Sequence, residues 1–364
     1  MNVLFQLSHP AHFHLFKNVA ARLLADGHKV HIVIKTKDIL EDLVREAGLP
    51  YLNVNDKAHR GSKAGILWDM IVRDWRIMRY CRKNDIDLLA GSTPEVAQIG
   101  WLLGKSRINF GEDDASIVPL FFKSAGRFIQ TELSPVSCDN GKYECKTVHY
   151  AGYHKLAYLH PNVFTPDKSV VAKYFNPDEP YFLLRFAQLK AYHDGSASGI
   201  DDALAQKIIS LLEPFGRVFI TSERKMSPSL EKYRLTINPL DIHHVMAFAG
   251  MYLGDSQSMA VEAAMLGVPN IRFNSFAGRI GVLEELQGKY QLSFGIHSSE
   301  PDKLLEKIGD LLAIPDIHAE FQRRREAMLS DKIDVSAFFA WFIENYPASR
   351  EEMINNPEYQ YRFK

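Results

Sequence analysis

The sequence predicts an α/β protein made of two Rossmann-like, doubly wound parallel-sheet domains. Three observations carry that expectation. Short apolar runs alternate with helical segments along the chain, the pattern of parallel strands joined by crossover helices. The 364 residues are too many for one ordinary core and suit two domains of roughly 150 to 200 residues each. A stretch at 150–180, punctuated by Pro161, Pro166, Pro177 and Pro180, breaks the alternation near the middle and marks the domain switch.

In the first half, strands are expected at 3–8, 29–36, 51–54, 87–91, 107–110 and 127–130, with helices at 13–26, 39–47, 66–83 and 95–103. In the second half, strands at 181–186, 217–221, 235–237, 251–253 and 270–273 enclose helices at 201–212, 242–249 and 259–266. Helices at 301–312, 318–329 and 335–345 follow. Ligands of such sheets bind beyond the carboxyl ends of the strands, so two facing domains imply a site in a cleft between them.

Composition narrows the class. With 43 basic and 44 acidic residues the net charge is −1, which gives no global reason to bind nucleic acid. Cys81, Cys138 and Cys145 show no C-x-x-C spacing and cannot all pair, which favours a reducing cytoplasm. The chain opens on a strand without a basic leader, and no apolar run reaches membrane-spanning length.

The most informative segment runs from Met251 to Asn274. An apolar strand breaks at Gly254-Asp255-Ser256-Gln257-Ser258, and a helix of small residues follows, beginning at Met259 and carrying one carboxylate, Glu262. A helix starting after a Gly/Ser turn presents unpaired amides and a positive dipole end, which suits a phosphate. Ser256 and Ser258 can cap it, and Glu262, one to two turns further in, can accept from two ribose hydroxyls. The same units occur in α/β proteins that bind no nucleotide, with Ser as an ordinary N-cap and Glu as a surface residue.

Gly254-Asp255-Ser256-x-Ser258-Met259-x-x-Glu262-Ala263-x-x-x-Gly267-x-Pro269 resembles the sugar-nucleotide site of GT-B glycosyltransferases and of UDP-N-acetylglucosamine 2-epimerase. More closely, the chain resembles a prokaryotic family of GT-B-like proteins of unknown function. That match lies in residues 8–16, 184–186 with His193-Asp194-Gly195, 216–220 and 254–281. The resemblance implies a GT-B fold: an acceptor domain at 1–160, a nucleotide-sugar domain at 161–335, and a helix and tail at 336–364 returning to the first. It also implies that the Ser/Gly turn binds the diphosphate and Glu262 the ribose.

Ser8-His9-Pro10-Ala11-His12-Phe13-His14 places three imidazoles where the first strand gives way to a helix. The run lacks a nearby Cys or carboxylate, so metal binding is not expected. His12 resembles the Gly-His that opens the first helix of MurG-like transferases, although Pro10-Ala11 replace the usual glycines. As a neutral imidazole kept so by the helix N-terminus, His12 is a candidate base for the acceptor hydroxyl. His9 and His14 are secondary candidates, with capping or packing as their alternative.

Glu112-Asp113-Asp114 follows the strand at 107–110 as a possible base or acceptor anchor, or else as the N-cap of a helix near Ile117. Arg185 can stabilise a leaving diphosphate in place of a metal, and His193-Asp194 sit in a Gly/Ser-rich loop nearby. Arg272, Asn274 and Arg279 are weaker candidates for the same field, while Thr221-Ser222-Glu223 and the loop reaching His243 are placed to line a base pocket. Asp85-Ile86-Asp87 precedes a strand and is a turn.

The helix at 66–83 mixes Trp68, Ile71 and Trp75 with Arg73, Arg76, Arg79, Arg82 and Lys83. Burial of its aromatics in the core is the expected reading, with peripheral contact at the inner face of a membrane as the alternative. The leading functional expectation is glycosyl transfer from a nucleoside-diphosphate sugar, UDP-linked, to a saccharide or lipid-linked acceptor, with no cofactor and no metal. The alternatives are a 2-epimerase or nucleotide-sugar hydrolase, and a non-catalytic nucleotide-binding subunit.

Overall fold

The computed structural model describes residues 1–36, 39–54, 63–187, 199–275 and 277–364. It divides into two units, Met1–Val163 with Lys332–Lys364, and Phe164–Asp331.

The first unit opens with β1 (Asn2–Leu7), α1 (Pro10–Ala25), β2 (Lys29–Ile34), α2 (Leu40–Glu46) and β3 (Tyr51–Asn53). It continues through α3 (Lys63–Lys83), β4 (Leu88–Gly91), α4 (Pro94–Leu102), β5 (Ser106–Phe110), α5 (Pro119–Ala125), β6 (Thr131–Pro135), β7 (Thr147–Tyr150) and α6 (Leu156–Leu159). The seven strands are parallel in the order β3-β2-β1-β4-β5-β6-β7. Residues on both faces of β1 are buried, which is why Val3, Leu4 and Phe5 are apolar in succession instead of alternating with polar residues.

Several boundaries differ from the sequence reading for local reasons. Helix α1 begins at Pro10, three residues early, because His9 serves as N-cap and proline fits the first helical position. The apolar run at 127–130 is not a strand: Ile129 joins Ala97, Phe122 and Ala125 in a cluster beside the sheet. The next five residues, polar at Thr131, Glu132 and Ser134, enter the sheet fully buried as β6. Helix α3 does not bury its tryptophans, as Trp68 is 56% and Trp75 53% exposed. Its inward face is set by Ile77 and Cys81 and by Arg73, whose Nη2 lies 2.6 Å from Oε1 of Glu95 on α4.

The second unit contains α7 (Lys168–Val171), β8 (Tyr181–Phe186), α8 (Asp202–Leu212), β9 (Arg217–Ser222), α9 (Pro228–Glu231), α10 (Ile242–Ala247) and β10 (Met251–Gly254). Then come α11 (Gln257–Met265), β11 (Asn270–Phe273), α12 (Gly281–Gly288), β12 (Phe294–Ile296), α13 (Pro301–Leu312) and α14 (Ile317–Asp331). Its five strands are also parallel, in the order β12-β11-β10-β8-β9. The strand expected at 235–237 does not form. Ile220 of β9 exchanges one backbone bond each with Tyr233 and Leu235, and the chain then turns at Pro239.

The chain ends in the first unit with α15 (Val335–Glu344) and α16 (Ala348–Asn355). Phe338, Phe339 and Phe342 of α15 are fully buried, and the Phe339 ring meets Phe110 at 4.8 Å and Tyr150 at 5.0 Å. Asp334 caps α15 and pairs with Arg22 of α1 at 3.1 Å.

Candidate functional site

The segment singled out by sequence forms a strand, a turn and a helix in the second unit. Gly254 ends β10 in register with Arg185 on β8 and Arg272 on β11. A Cβ at Gly254 would stand 2.6 Å from the Tyr252 hydroxyl and 2.9 Å from both Cβ and the carbonyl oxygen of Arg185. The position therefore needs glycine for close approach. Ser256 is the N-cap of α11, its Oγ accepting from the Met259 amide at 3.4 Å. The first turn of α11 carries no acidic residue, and Ser258 is exposed there. The helix thus offers its amino end and hydroxyls to an anion.

Asp255 faces inward. Its Oδ1 accepts from the Ala187 amide at 2.6 Å, tying the end of β8 to the turn, and burial pushes its carboxyl up to about 6. The Asn274 side-chain amide donates to the Asp255 carbonyl at 3.2 Å. Both residues shape the turn. Glu262 is 8% exposed, and its Oε1 lies 3.4 Å from Nε2 of His243 on α10.

Arg185 emerges at the carboxyl end of β8 and forms an ion pair with Glu223, which follows β9. Thr221, level with Arg185, directs Oγ1 to the Leu184 carbonyl at 3.5 Å. Ser222 bonds both the carbonyl and the amide of Arg224. These two hydroxyls serve the protein's own backbone. Arg272 is fully buried, pairs with Glu284 at 3.1 Å and lies against Gly295. That position makes it a framework residue. Arg279 is exposed in the turn before α12. His193 and Asp194 fall outside the described residues.

In the first unit, Nδ1 of His9 accepts from the Ala11 amide at 3.2 Å, so this ring caps α1. His12 lies inside the first turn of α1, where its Nδ1 accepts from the Ser8 amide at 3.3 Å. A neutral ring so held carries its proton on Nε2 and presents a donor there. His14 is buried, its ring 5.3 Å from that of Tyr158.

Glu112 follows β5 and pairs with the ammonium of Lys155, while its Oε1 accepts from the His154 amide at 2.6 Å. Burial alone would raise its carboxyl, but the Lys155 charge and the His154 contacts hold it below the ordinary value. Burial lowers His154 to about 4. Asp114 accepts from the Asp139 amide at 2.7 Å and so fixes a loop; the helix expected near Ile117 starts at Pro119, with Val118 and not an Asp as its N-cap. Asp113 is exposed beside it.

Sequence reading missed Glu132 on β6. It is 1% exposed, and burial pushes its carboxyl up to about 8. Its Oε1 occupies the space a side chain at Gly111 would fill, immediately before Glu112. The only available signal was one carboxylate among the short polar residues of 131–135.

No protein-family model and no curated protein matches this sequence. Solved structures do. The UDP-GlcNAc 2-epimerase of Neisseria meningitidis bound to UDP-GlcNAc has a TM-score of 0.63 at 14% identity, covering 88% of this chain and 94% of that one. The epimerase of Methanocaldococcus jannaschii gives 0.62 at 13%, covering 86% and 93%. A spinosyn forosaminyltransferase gives 0.64 at 15%, covering 92% and 96%. The fold is GT-B. Within this GT-B chain, Gly254 to Glu262, His243 and Arg185 belong to one unit, and His12, Glu112 and Glu132 to the other. Among the described residues, no group of three or more His, Cys, Asp or Glu is placed to hold a metal ion, and no helix is long and apolar enough to cross a membrane.

Proposed function

We propose that this chain is an enzyme that binds a nucleoside-diphosphate sugar, UDP-linked, in its second unit and transfers the glycosyl group to a saccharide or lipid-linked acceptor. The supporting observation is the amino end of α11, capped by Ser256 after the Gly254 turn, with Glu262 held by His243 deeper in the same helix. In this reading the α11 amides and the Ser256 and Ser258 hydroxyls meet the diphosphate, and Glu262 accepts from the ribose diol.

In transfer, the bond from the anomeric carbon to the diphosphate oxygen breaks and the diphosphate leaves with the electron pair. The acceptor oxygen bonds that carbon and gives up its proton. Arg185 meets the charge on the leaving group, an electrostatic contribution that needs no metal. In the first unit His12 presents Nε2–H, and taking the acceptor's proton there requires the ring first to exchange tautomers. Cytoplasmic location at the inner face of a membrane suits a lipid-linked acceptor.

Calorimetry with UDP tests this reading. Binding that Glu262→Ala weakens is the expected result, and equal affinity in the variant contradicts it.

One observation favours 2-epimerisation as a second reading. Glu112 is held ionised while Glu132 is held protonated near neutral pH, the division of labour needed to remove and return a proton. Solvent deuterium appearing in recovered sugar nucleotide would select this chemistry; its absence, with transfer to an acceptor, would reject it.

A further inference from the structure

The exposed face of α3 holds none of the residues proposed above to meet the sugar nucleotide. Trp68, Ile71 and Trp75 are 56%, 53% and 53% exposed, and their spacing puts them on one side of the helix. The stripe continues through Arg79, whose guanidinium lies 5.5 Å from the centre of the Trp75 ring, to exposed Arg82. Two tryptophans held in water two turns apart, with Ile71 between them, constitute an apolar patch of the kind that marks an interaction surface.

Charge and a cavity identify the partner. Helix α3 carries six basic residues against two acidic ones, in a chain whose net charge is −1. At its carboxyl end Arg82 also lines a cavity of about 280 Å³ between the ends of α3 and α4, together with Lys105, Asp85 and Leu102. Leu102 is 60% exposed and Trp101 beside it 52%. An apolar stripe therefore leads into a cationic recess rimmed by further apolar surface.

We propose that this face seats the protein on an anionic phospholipid bilayer. Trp68, Ile71 and Trp75 enter the headgroup boundary, and Arg82 and Lys105 receive a lipid phosphate in the recess. Tryptophan is suited to that boundary because its ring is apolar and its N–H remains solvated, and clustered arginines are drawn to negative surface potential. A flat apolar protein partner would bring no negative charge to Arg79, Arg82 and Lys105. The proposal rests on the first unit alone and stands or falls separately from UDP binding in the second.

Flotation of the full-length protein with vesicles of phosphatidylcholine, with and without phosphatidylglycerol, tests it. Binding is expected only with phosphatidylglycerol, falling as salt is raised. Trp68→Ala/Trp75→Ala and Arg79→Glu/Arg82→Glu should each reduce it by about tenfold or more, roughly 1.4 kcal/mol. Circular dichroism and UDP affinity are read on each variant, since a folded unit with unchanged UDP binding isolates the surface. No flotation at low salt, equal flotation with phosphatidylcholine alone, or no effect in folded variants would overturn the proposal. So would a stable dimer, seen by sedimentation, that the tryptophan substitutions dissociate, because the face would then join two copies.

Discussion

His243 and Glu262 meet at 3.4 Å with no more than a tenth of either side chain exposed. The histidine sits on α10 and the glutamate on α11, so the contact fixes the carboxylate against a neighbouring helix. Glu262→Ala is expected to lower UDP affinity by about tenfold, roughly 1.4 kcal/mol. His243→Ala should act in the same direction with a smaller effect. Because the residues work as a pair, the double variant should bind no more weakly than Glu262→Ala alone. Calorimetry that found additive losses would show that His243 acts elsewhere.

Gly254→Ala should destabilise the second unit. The new methyl would meet the Tyr252 hydroxyl and the backbone of Arg185, and overpacking of that kind costs about 1–3 kcal/mol. Adding Tyr252→Phe removes the hydroxyl contact and should recover part of the loss. The Arg185 carbonyl contact remains, so recovery is partial in urea unfolding.

Lys155→Met leaves the Glu112 carboxylate buried without its cation, which typically costs about 3–5 kcal/mol. The sign with pH is definite. Glu112 is held below its ordinary value of 4.5 in the fold, so its stabilisation is present above that value and disappears as pH falls through the lowered one. Acid unfolding of the wild type should reflect this loss. In Lys155→Met the depressed carboxyl should return upward and that part of the acid dependence should vanish.

Glu132 has the opposite dependence. Its carboxyl rises from 4.5 to about 8 on folding, so the fold binds the extra proton throughout that interval. The stabilisation is full below 4.5 and declines by about 1.4 kcal/mol per pH unit until pH reaches about 8. Glu132→Gln keeps the shape without the charge and should flatten that slope in unfolding measured from pH 5 to pH 9, at about one-unit steps. An unchanged slope would show that another group titrates.

The sequence showed the parallel architecture because crossover helices impose a long-range alternation that single residues cannot disguise. It showed the α11 turn because Gly254, Ser256 and Glu262 stand at spacings that local geometry uses directly. It concealed β6 and β12 because both depend on partners distant in sequence. Thr131, Glu132 and Ser134 read as a loop until β5 and β7 flank them. The short strand around Gly295 pairs with β11, where the Arg272 side chain fills the space that glycine leaves. The inward turn of Asp255 was hidden likewise, since its partner is the Ala187 amide on another strand. For α3, composition announced an amphipathic helix but could not say which residues would face solvent; Ile77, Cys81 and the Arg73–Glu95 bridge mark the face that turns inward.

The interruption of the first unit between Val163 and Lys332 has a consequence for biosynthesis. The second unit is one uninterrupted stretch and can complete itself while the ribosome is still adding residues. The first cannot, since Phe338, Phe339 and Phe342 leave the exit tunnel only after the whole of the second unit. Until they arrive, the aromatic surface at Phe110 and Tyr150 stays open to water, so the unit whose strands are made before those of the second is the one that matures after it and the one more in need of chaperone shelter.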